Sequence, residues 1–324
     1  MKIRGFARQY EGGGYYRIRL PLDELGQHGH DTTCALAKSD MSGDGADVVV
    51  GQLIGGHTDP AAIHQWWRGL AKHSRLVYEL DDDPFEIETH NPVAVAYGRP
   101  AARDSIAHCI QIASLVTVSS EPLAERMRQY NPNVTVLKNR IDASLLDIQR
   151  PQRDKVTVGW AGGASHRIDL GECAYGLRKT IDRHDIDVHF IGPDFTDVIR
   201  RPIRHTPWCQ KTIDYYKLID FDIGLAPLKP SVFARSKSYI KALEYAALGI
   251  PVIASDVEPY RDFVVDGVTG FLIRRDHEWA SRLRDLINDA DMRADMGAKA
   301  KQVAADYTIQ TGWPDWEIAY KSVL

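Results

Sequence analysis

The chain has 324 residues, of which 44% are hydrophobic and 26% charged, and a net charge of −4. This is a globular composition without the basic excess that a nucleic-acid partner calls for, so nucleic acid is not an expected partner. No run reaches about 18 apolar residues, so no membrane span is expected; Cys34, Cys109, Cys173 and Cys209 lie far apart without metal-type spacing, which suits reduced thiols in a cytoplasmic protein.

The length suits two ordinary domains. Lys2–Ala7 reads as a first strand rather than a leader peptide. It runs into Glu11-Gly12-Gly13-Gly14-Tyr15-Tyr16-Arg17 and then a helix to about Gln27. A glycine turn between strand and helix lets backbone amides approach a phosphate closely; three glycines serve equally as a flexible turn. Asp31–Leu36 and residues 47–50 are further strands, and the loop 52–58 holds Gly55, Gly56 and His57. Residues 60–73 read as a helix with Trp66, Trp67, Arg68, Lys72 and His73. Aromatics beside cations suit a membrane-surface helix, and peripheral membrane contact stays open as a partner. The apolar face is short and broken by His64 and Gln65, so packing of a tryptophan on the sheet is the favoured reading.

Arg75–Leu80 is a strand that ends in Asp81-Asp82-Asp83-Pro84. Three acids there suit a hard cation such as Mg²⁺ or Mn²⁺, or plain N-capping and loop solvation. Residues 86–99 have no periodicity and read as a loop in which an acceptor is recognised. A helix over 101–113, a buried strand Leu115–Val118, a helix start at Ser119-Ser120-Glu121-Pro122 and a strand over 134–137 follow. The polar stretch 145–155 is the expected linker.

The second half repeats the pattern of the first. A strand over 156–160 leads into Ala161-Gly162-Gly163-Ala164-Ser165-His166-Arg167 and a helix from Asp169. Two strand–glycine–helix units, one per half, point to two facing Rossmann-like domains with a ligand between them. His166 and Arg167 would then point at a diphosphate, although a solvated side chain is the bland reading of His166. Strands are expected over 188–192, 203–206 and 222–226, and a helix over 213–219. Trp208 either stacks on a base or fills a loop.

Residues 236–256 read Ser-Lys-Ser-Tyr-Ile-Lys-Ala-Leu-Glu-Tyr-Ala-Ala-Leu-Gly-Ile-Pro-Val-Ile-Ala-Ser-Asp. Ile240, Leu243, Ala247 and Leu248 make a helical stripe. Gly249 sits where a positive φ ends a helix, and Pro251 prevents continuation. Val252-Ile253-Ala254 suits a parallel strand buried on both faces, ending at Ser255-Asp256, where open α/β sheets bind ligands. Lys241 and Glu244 share one helix face. They are either a surface ion pair worth under about 1 kcal/mol or a ligand face, with Glu244 accepting from two adjacent hydroxyls and Lys237 and Lys241 meeting a diphosphate at the helix N-terminus. Helices are expected over 278–288 and 291–306, and Trp316, Ala319, Tyr320 and Val323 fall at helical spacing near the end.

The block 236–273 resembles the nucleotide-sugar-binding segment of retaining glycosyltransferases of the family 4 type. The pattern is Lys-x-x-Glu-Tyr-x-Ala-x-Gly-x-Pro-Val-(aliphatic)-Ala-Ser, then Asp-Gly-x-Thr-Gly-(aromatic)-Leu. The glycine loop at 12–14 and the stretches 116–119 and 136–142 extend the resemblance. It implies the α/β GT-B fold: a Rossmann-like acceptor domain over 1–150, a Rossmann-like donor domain over 151–306, and a final helix over 307–324 packing back on the first domain. It implies a nucleoside diphosphate sugar donor, handled by Gly13, Gly14, Gly162, Gly163, His166, Arg167, Trp208, Ser236, Lys237, Lys241 and Glu244, with Tyr16 and Arg17 looking into the same space. The acceptor would be a hydroxyl on a carbohydrate, a lipid-linked molecule or another compound, and no metal cofactor is expected. Asp81 stands where relatives often carry a histidine near the reacting sugar, which makes Asp81, Asp82 and Lys241 the catalytic candidates. Ser236 departs from the family, which has a glutamate there that contacts the donor sugar. That departure keeps open a nucleotide-sugar-binding protein without transfer; a GT-B phosphorylase or epimerase is the other alternative.

Overall fold

The computed structural model describes residues 1–37, 42–43, 45–55, 60–151, 153–209 and 211–324; Gly56, His57 and Thr58 of the expected loop lie outside them. The chain divides into two compact units. The first comprises Met1–Asp142, Arg235–Ser238 and Ile309–Leu324, and the second Ala143–Ala234 and Tyr239–Thr308. Among the described residues, no helix is long and apolar enough to cross a membrane.

The first unit is built on a six-stranded parallel sheet in the order β2-β1-β3-β4-β5-β6. Its strands are β1 (Lys2–Ala7), β2 (Asp31–Leu36), β3 (Val48–Gln52), β4 (Arg75–Leu80), β5 (Leu115–Val118) and β6 (Val134–Val136). β3 and β5 are buried along their whole length, as their near-continuous apolar runs require of strands covered on both faces. The order reverses between β1 and β3, and the carboxyl ends flanking such a reversal form the crevice where open α/β sheets receive ligands. β1 runs through the glycine turn into a π-helical turn, Tyr15–Arg19, that continues as the helix Leu20–Gln27.

Two elements cover this sheet with aromatic side chains. Trp67, on the helix Pro60–Leu70, is fully buried and donates its Nε1–H to the Cys109 carbonyl at 3.1 Å. Trp66 meets Phe6 edge-on at 5.3 Å. Trp67 lies in the sheet core and the half-buried Trp66 packs against it, as the favoured reading of this helix expects. The last helix, Ile309–Lys321, buries Trp316 and Tyr320 in the first unit. Ile309 N–H donates to the Ile141 carbonyl at 2.8 Å, and the Trp313 ring stacks on His28 at 3.8 Å.

The second unit holds another six-stranded parallel sheet, β12-β11-β10-β7-β8-β9. Its strands are β7 (Thr157–Ala161), β8 (Asp187–Ile191), β9 (Arg204–Thr206), β10 (Ile223–Ala226), β11 (Val252–Ser255) and β12 (Gly270–Ile273). Counted within this unit and read from the β9 edge, the order is that of the Rossmann fold, with its reversal between β7 and β10. The expected linker starts with a 3₁₀ turn, Ala143–Asp147. The short edge strand β9 is tied down by Asp220, which is nearly buried and accepts from Arg204 at 2.8 Å and pairs with His189 at 2.6 Å and with Arg153. Despite burial, the hydrogen bonds from His189 and Arg204 hold the Asp220 carboxyl well below the usual carboxylate range. The helix Ile240–Ala247 stops as its sequence dictates, with Gly249 at φ +67° and Pro251 leading into β11.

Candidate functional site

At the carboxyl ends of the first sheet, the glycine turn lies directly on the acidic cluster. A Cβ placed on Gly13 would stand 1.9 Å from Asp81 Oδ2 and 3.1 Å from the Gln52 amide nitrogen. One on Gly14 would stand 1.6 Å from the Gln9 carbonyl oxygen. Close backbone approach therefore requires both glycines. The three acids then take three different partners. Asp83 is buried, accepts from Phe85 N–H at 2.9 Å and pairs with Arg126. Asp82 pairs with Lys237 at 2.9 Å. Asp81 stays against the glycine turn, where burial and then the Asp82 charge push its carboxyl up, opposed by Arg17, Lys237 and Arg8.

Arg17 does not look into a donor space. It has no exposed surface, and Tyr16 is also buried. Arg17 Nε donates to Glu79 Oε1 at 2.7 Å, and its Nη2 donates to Oε2 at 3.1 Å. Its Nη1 donates to the Asn139 side-chain oxygen at 2.8 Å and to the Leu137 carbonyl. Thr117 Oγ1 completes the group by donating to Glu79. Burial pushes the Glu79 carboxyl up to about 7 although Arg17 and Thr117 oppose the shift. The physical reason for the correction is this pair: a guanidinium so close to a buried carboxylate is bound inward. The one available signal was Glu79 itself, an acid near the end of the otherwise apolar strand Arg75–Leu80. The segment Arg235–Ser238 packs nearby. Ser236 is 1% exposed and its carbonyl accepts from Ser120 Oγ at 2.9 Å. Ser238 Oγ accepts from Asn139 Nδ2 at 2.7 Å.

In the second unit, Lys241 and Glu244 are 8% and 6% exposed, which rules out a solvated surface pair. Lys241 Nζ donates to the carbonyl of Ala161, the last residue of β7, and lies 5.1 Å from the Trp160 ring centroid. The glycine turn after β7 makes room for it, since a Cβ on Gly162 would stand 2.8 Å from that nitrogen. Gly192, at φ +127°, closes on the same turn: its Cβ would come 2.1 Å from the Gly162 carbonyl. Gly163 faces open space instead. Glu244 Oε2 accepts from the Tyr215 hydroxyl at 2.9 Å, and the Tyr215 ring stacks on Trp208 at 4.5 Å. Burial and the Glu244 charge raise the Tyr215 hydroxyl well above its ordinary value, so it remains a donor. Trp208 itself keeps 42% of its surface exposed. Tyr215 carries no signal in the sequence, being one of two adjacent tyrosines on a short helix.

The remaining candidates have partners of their own. His166 Nδ1 lies 2.8 Å from Asp169, whose other oxygen accepts from Lys229 N–H at 2.9 Å, so the turns after β7 and β10 are tied together. Arg167 forms an exposed ion pair with Asp197. A groove of about 350 Å³ opens at the ends of β11 and β12, lined by Ser255, Asp256 and Ile273. There Asp256 is held by Arg261 at 2.6 Å and Arg274 at 2.8 Å.

Two parallel Rossmann sheets, each with a glycine turn at its reversal, define a class of protein, and the solved structures give its fold. The chain superposes on Anabaena Alr3699/HepE in complex with UDP-glucose at a TM-score of 0.71 and 14% identity, covering 99% of this chain and 100% of that one. Sucrose-phosphate synthase (tll1590) from Thermosynechococcus elongatus gives 0.71 at 11% identity over 100% of this chain and 99% of that one. The fold is GT-B.

Within it, residues 240–303 match the model of the family glycosyl transferases group 1. The chain is 39% identical over 74 residues to D-inositol 3-phosphate glycosyltransferase of Paenarthrobacter aurescens (strain TC1), which is 22% of this chain and 17% of that protein. It is 33% identical over 86 residues to the capsular polysaccharide biosynthesis glycosyltransferase CapM of Staphylococcus aureus, 26% of this chain and 23% of that protein. The match thus spans less than a quarter of either curated relative. The segment that matches the glycosyl transferases group 1 model lies in the second unit, and the helix with Lys241 and Glu244 opens it.

Proposed function

We propose that the protein is a glycosyltransferase that moves a sugar from a nucleoside diphosphate sugar to an acceptor hydroxyl with retention of configuration. The observation that carries this reading is the buried Lys241–Glu244 helix face at the reversal of the second sheet. Glu244, held by Tyr215 beside the exposed Trp208, would accept from the ribose hydroxyls while a base stacks on the indole. Lys241, on the turn at Gly162, would meet the diphosphate and stabilise it as charge develops on leaving. Asp81, pushed up by burial, would orient the acceptor hydroxyl or the donor sugar. The names of the relatives and the UDP-glucose complex of the HepE structure support the donor class.

Donor binding is expected to need no divalent ion. Asp83 is taken by Arg126 and Asp82 by Lys237. Donor-induced stabilisation should therefore survive excess EDTA, and its loss on chelation would overturn this point.

The testing experiment is thermal unfolding with UDP-, GDP-, ADP- and TDP-glucose. One of them should raise Tm increasingly with concentration, since a ligand of the native state alone stabilises by mass action. No shift with any of the four overturns the donor assignment. A second reading, a nucleotide-sugar-binding protein without turnover, is favoured by Ser236, which is buried where the family glutamate would contact the sugar. Stabilisation by a donor without product in an acceptor screen read by mass spectrometry would select it.

A further inference from the structure

The four residues Arg235–Ser238 belong to the first unit although the chain on both sides of them belongs to the second. Three of the four are bound by side chains that follow three neighbouring strands. Asp82, just past β4, pairs with Lys237 at 2.9 Å. Ser120, just past β5, donates to the Ser236 carbonyl at 2.9 Å. Asn139, past β6, donates to Ser238 Oγ at 2.7 Å. β4, β5 and β6 are adjacent in the sheet, so their carboxyl ends bring these three groups to one short segment, meeting Lys237, Ser236 and Ser238 in turn.

Two of the three points, Ser120 and Asn139, are themselves fixed from behind. Ser120 is the N-cap of the helix Glu121–Met127, and its oxygen accepts from Leu123 N–H while its proton goes to Ser236. The Asn139 oxygen accepts from Arg17, which is locked to Glu79 in the core of the sheet. Asn139 therefore uses both ends of its amide, one on the buried pair and one on the segment.

We propose that Asp82, Ser120 and Asn139 form a three-point clamp on residues 236–238, and that Ser120 and Asn139 are positioning residues that hold the Lys237 ammonium beside Asp81 and Asp82. This rests on the reading of Asp81 and Asp82 as part of the reaction site. It moves Lys237 from the donor-diphosphate group to the acidic half-site of the first unit. A lysine side chain loses much rotamer freedom when fixed, and clamping its backbone on both sides removes part of that cost in advance.

The experiment is amine acetylation of the whole chain, followed residue by residue by mass spectrometry, for Asn139→Ala, Ser238→Ala and the double variant. Asn139→Ala removes the donor to Ser238 and leaves Arg17 on Glu79 and the Leu137 carbonyl. Lys237 should be labelled several-fold faster in each single variant and no faster in the double, because both changes break one bond. Lys241, buried in the second unit, should keep its wild-type rate, and Ser238→Thr, which retains the hydroxyl, should restore protection of Lys237. An unchanged Lys237 rate, an additive double variant, or Lys237 and Lys241 rising together would each overturn the clamp. Failure of the donor reading shows separately, as absence of any nucleotide-induced Tm shift in the unmodified chain.

Discussion

Glu244 is buried and Asp81 half-buried, and single substitutions separate the roles proposed for them. Glu244 has a fixed neutral donor in Tyr215 and would present its charge to a ribose. Glu244→Gln keeps the shape and an acceptor for Tyr215 but removes the charge, so nucleoside diphosphate affinity should fall roughly tenfold, about 1.4 kcal/mol. Calorimetry reads this directly, and unchanged affinity would remove the ribose assignment. Asp81 should affect turnover more than donor affinity. Its raised pKa also fixes the sign of the pH dependence: if the ionised form is needed, activity is lost as pH falls through a value above the usual carboxylate range. Asp81→Asn should lower kcat with little change in donor KM; intact activity would make Asp81 a loop residue only. Gly13→Ala tests the same place from the other side. Its methyl would overlap the Asp81 carboxylate, so kcat should drop while nucleotide binding in the second unit is retained.

At the scale of elements, the pair Arg17–Glu79 joins the π-helical turn to β4, and through Asn139 and Thr117 to the ends of β5 and β6. The Glu79 carboxyl stands at about 7 in the folded protein against an ordinary 4.5. A raised folded-state pKa means that this group's contribution is fully present below pH 4.5 and is lost as pH rises through about 7. Tm measured between these values should fall more steeply in the wild type than in Glu79→Gln, and parallel curves would contradict the assignment. Asp220 works in the opposite sense. Its depressed carboxyl stabilises the β8–β9 edge above the ordinary carboxylate range and loses that effect in acid. Much of the element inventory was legible from local pattern. Gly249 and Pro251 end a helix wherever they stand in such a sequence, and the apolar runs of β3, β5 and β11 admit little but a buried parallel strand. The tryptophan helix was ambiguous because aromatic residues beside cations suit a lipid surface and a sheet equally; only the Trp67–Cys109 hydrogen bond and the burial of the ring decide it.

At the scale of the molecule, the chain enters the first unit three times: at its start, through Arg235–Ser238, and through its last helix. That helix supplies Trp316 and Tyr320, both almost fully buried. Emptying one such aromatic site costs about 3–5 kcal/mol against a total stability of about 5–15. Removing 309–324 should therefore abolish the tertiary packing of the first unit, seen as loss of its near-ultraviolet circular dichroism and as rapid proteolysis of residues 1–142; a protected fragment would contradict this.

The sequence by itself determined the α/β class, the strands and the long helices, the two glycine turns and the Lys241–Glu244 face, whereas the short helix Ala94–Tyr97 falls in the stretch 86–99 that reads as a loop. These depend on backbone propensity and periodicity within a few residues. The tertiary structure decided which polar side chains meet. Arg17 reaches Glu79 across 62 positions, Tyr215 reaches Glu244 across 29, and Asn139 reaches Ser238 across 99. Sheet order brings such partners together, and no local period encodes it. For the same reason Arg17 reads as a ligand contact in the sequence and is a core residue in the fold, and the pairing of Lys237 with Asp82 spans 155 positions.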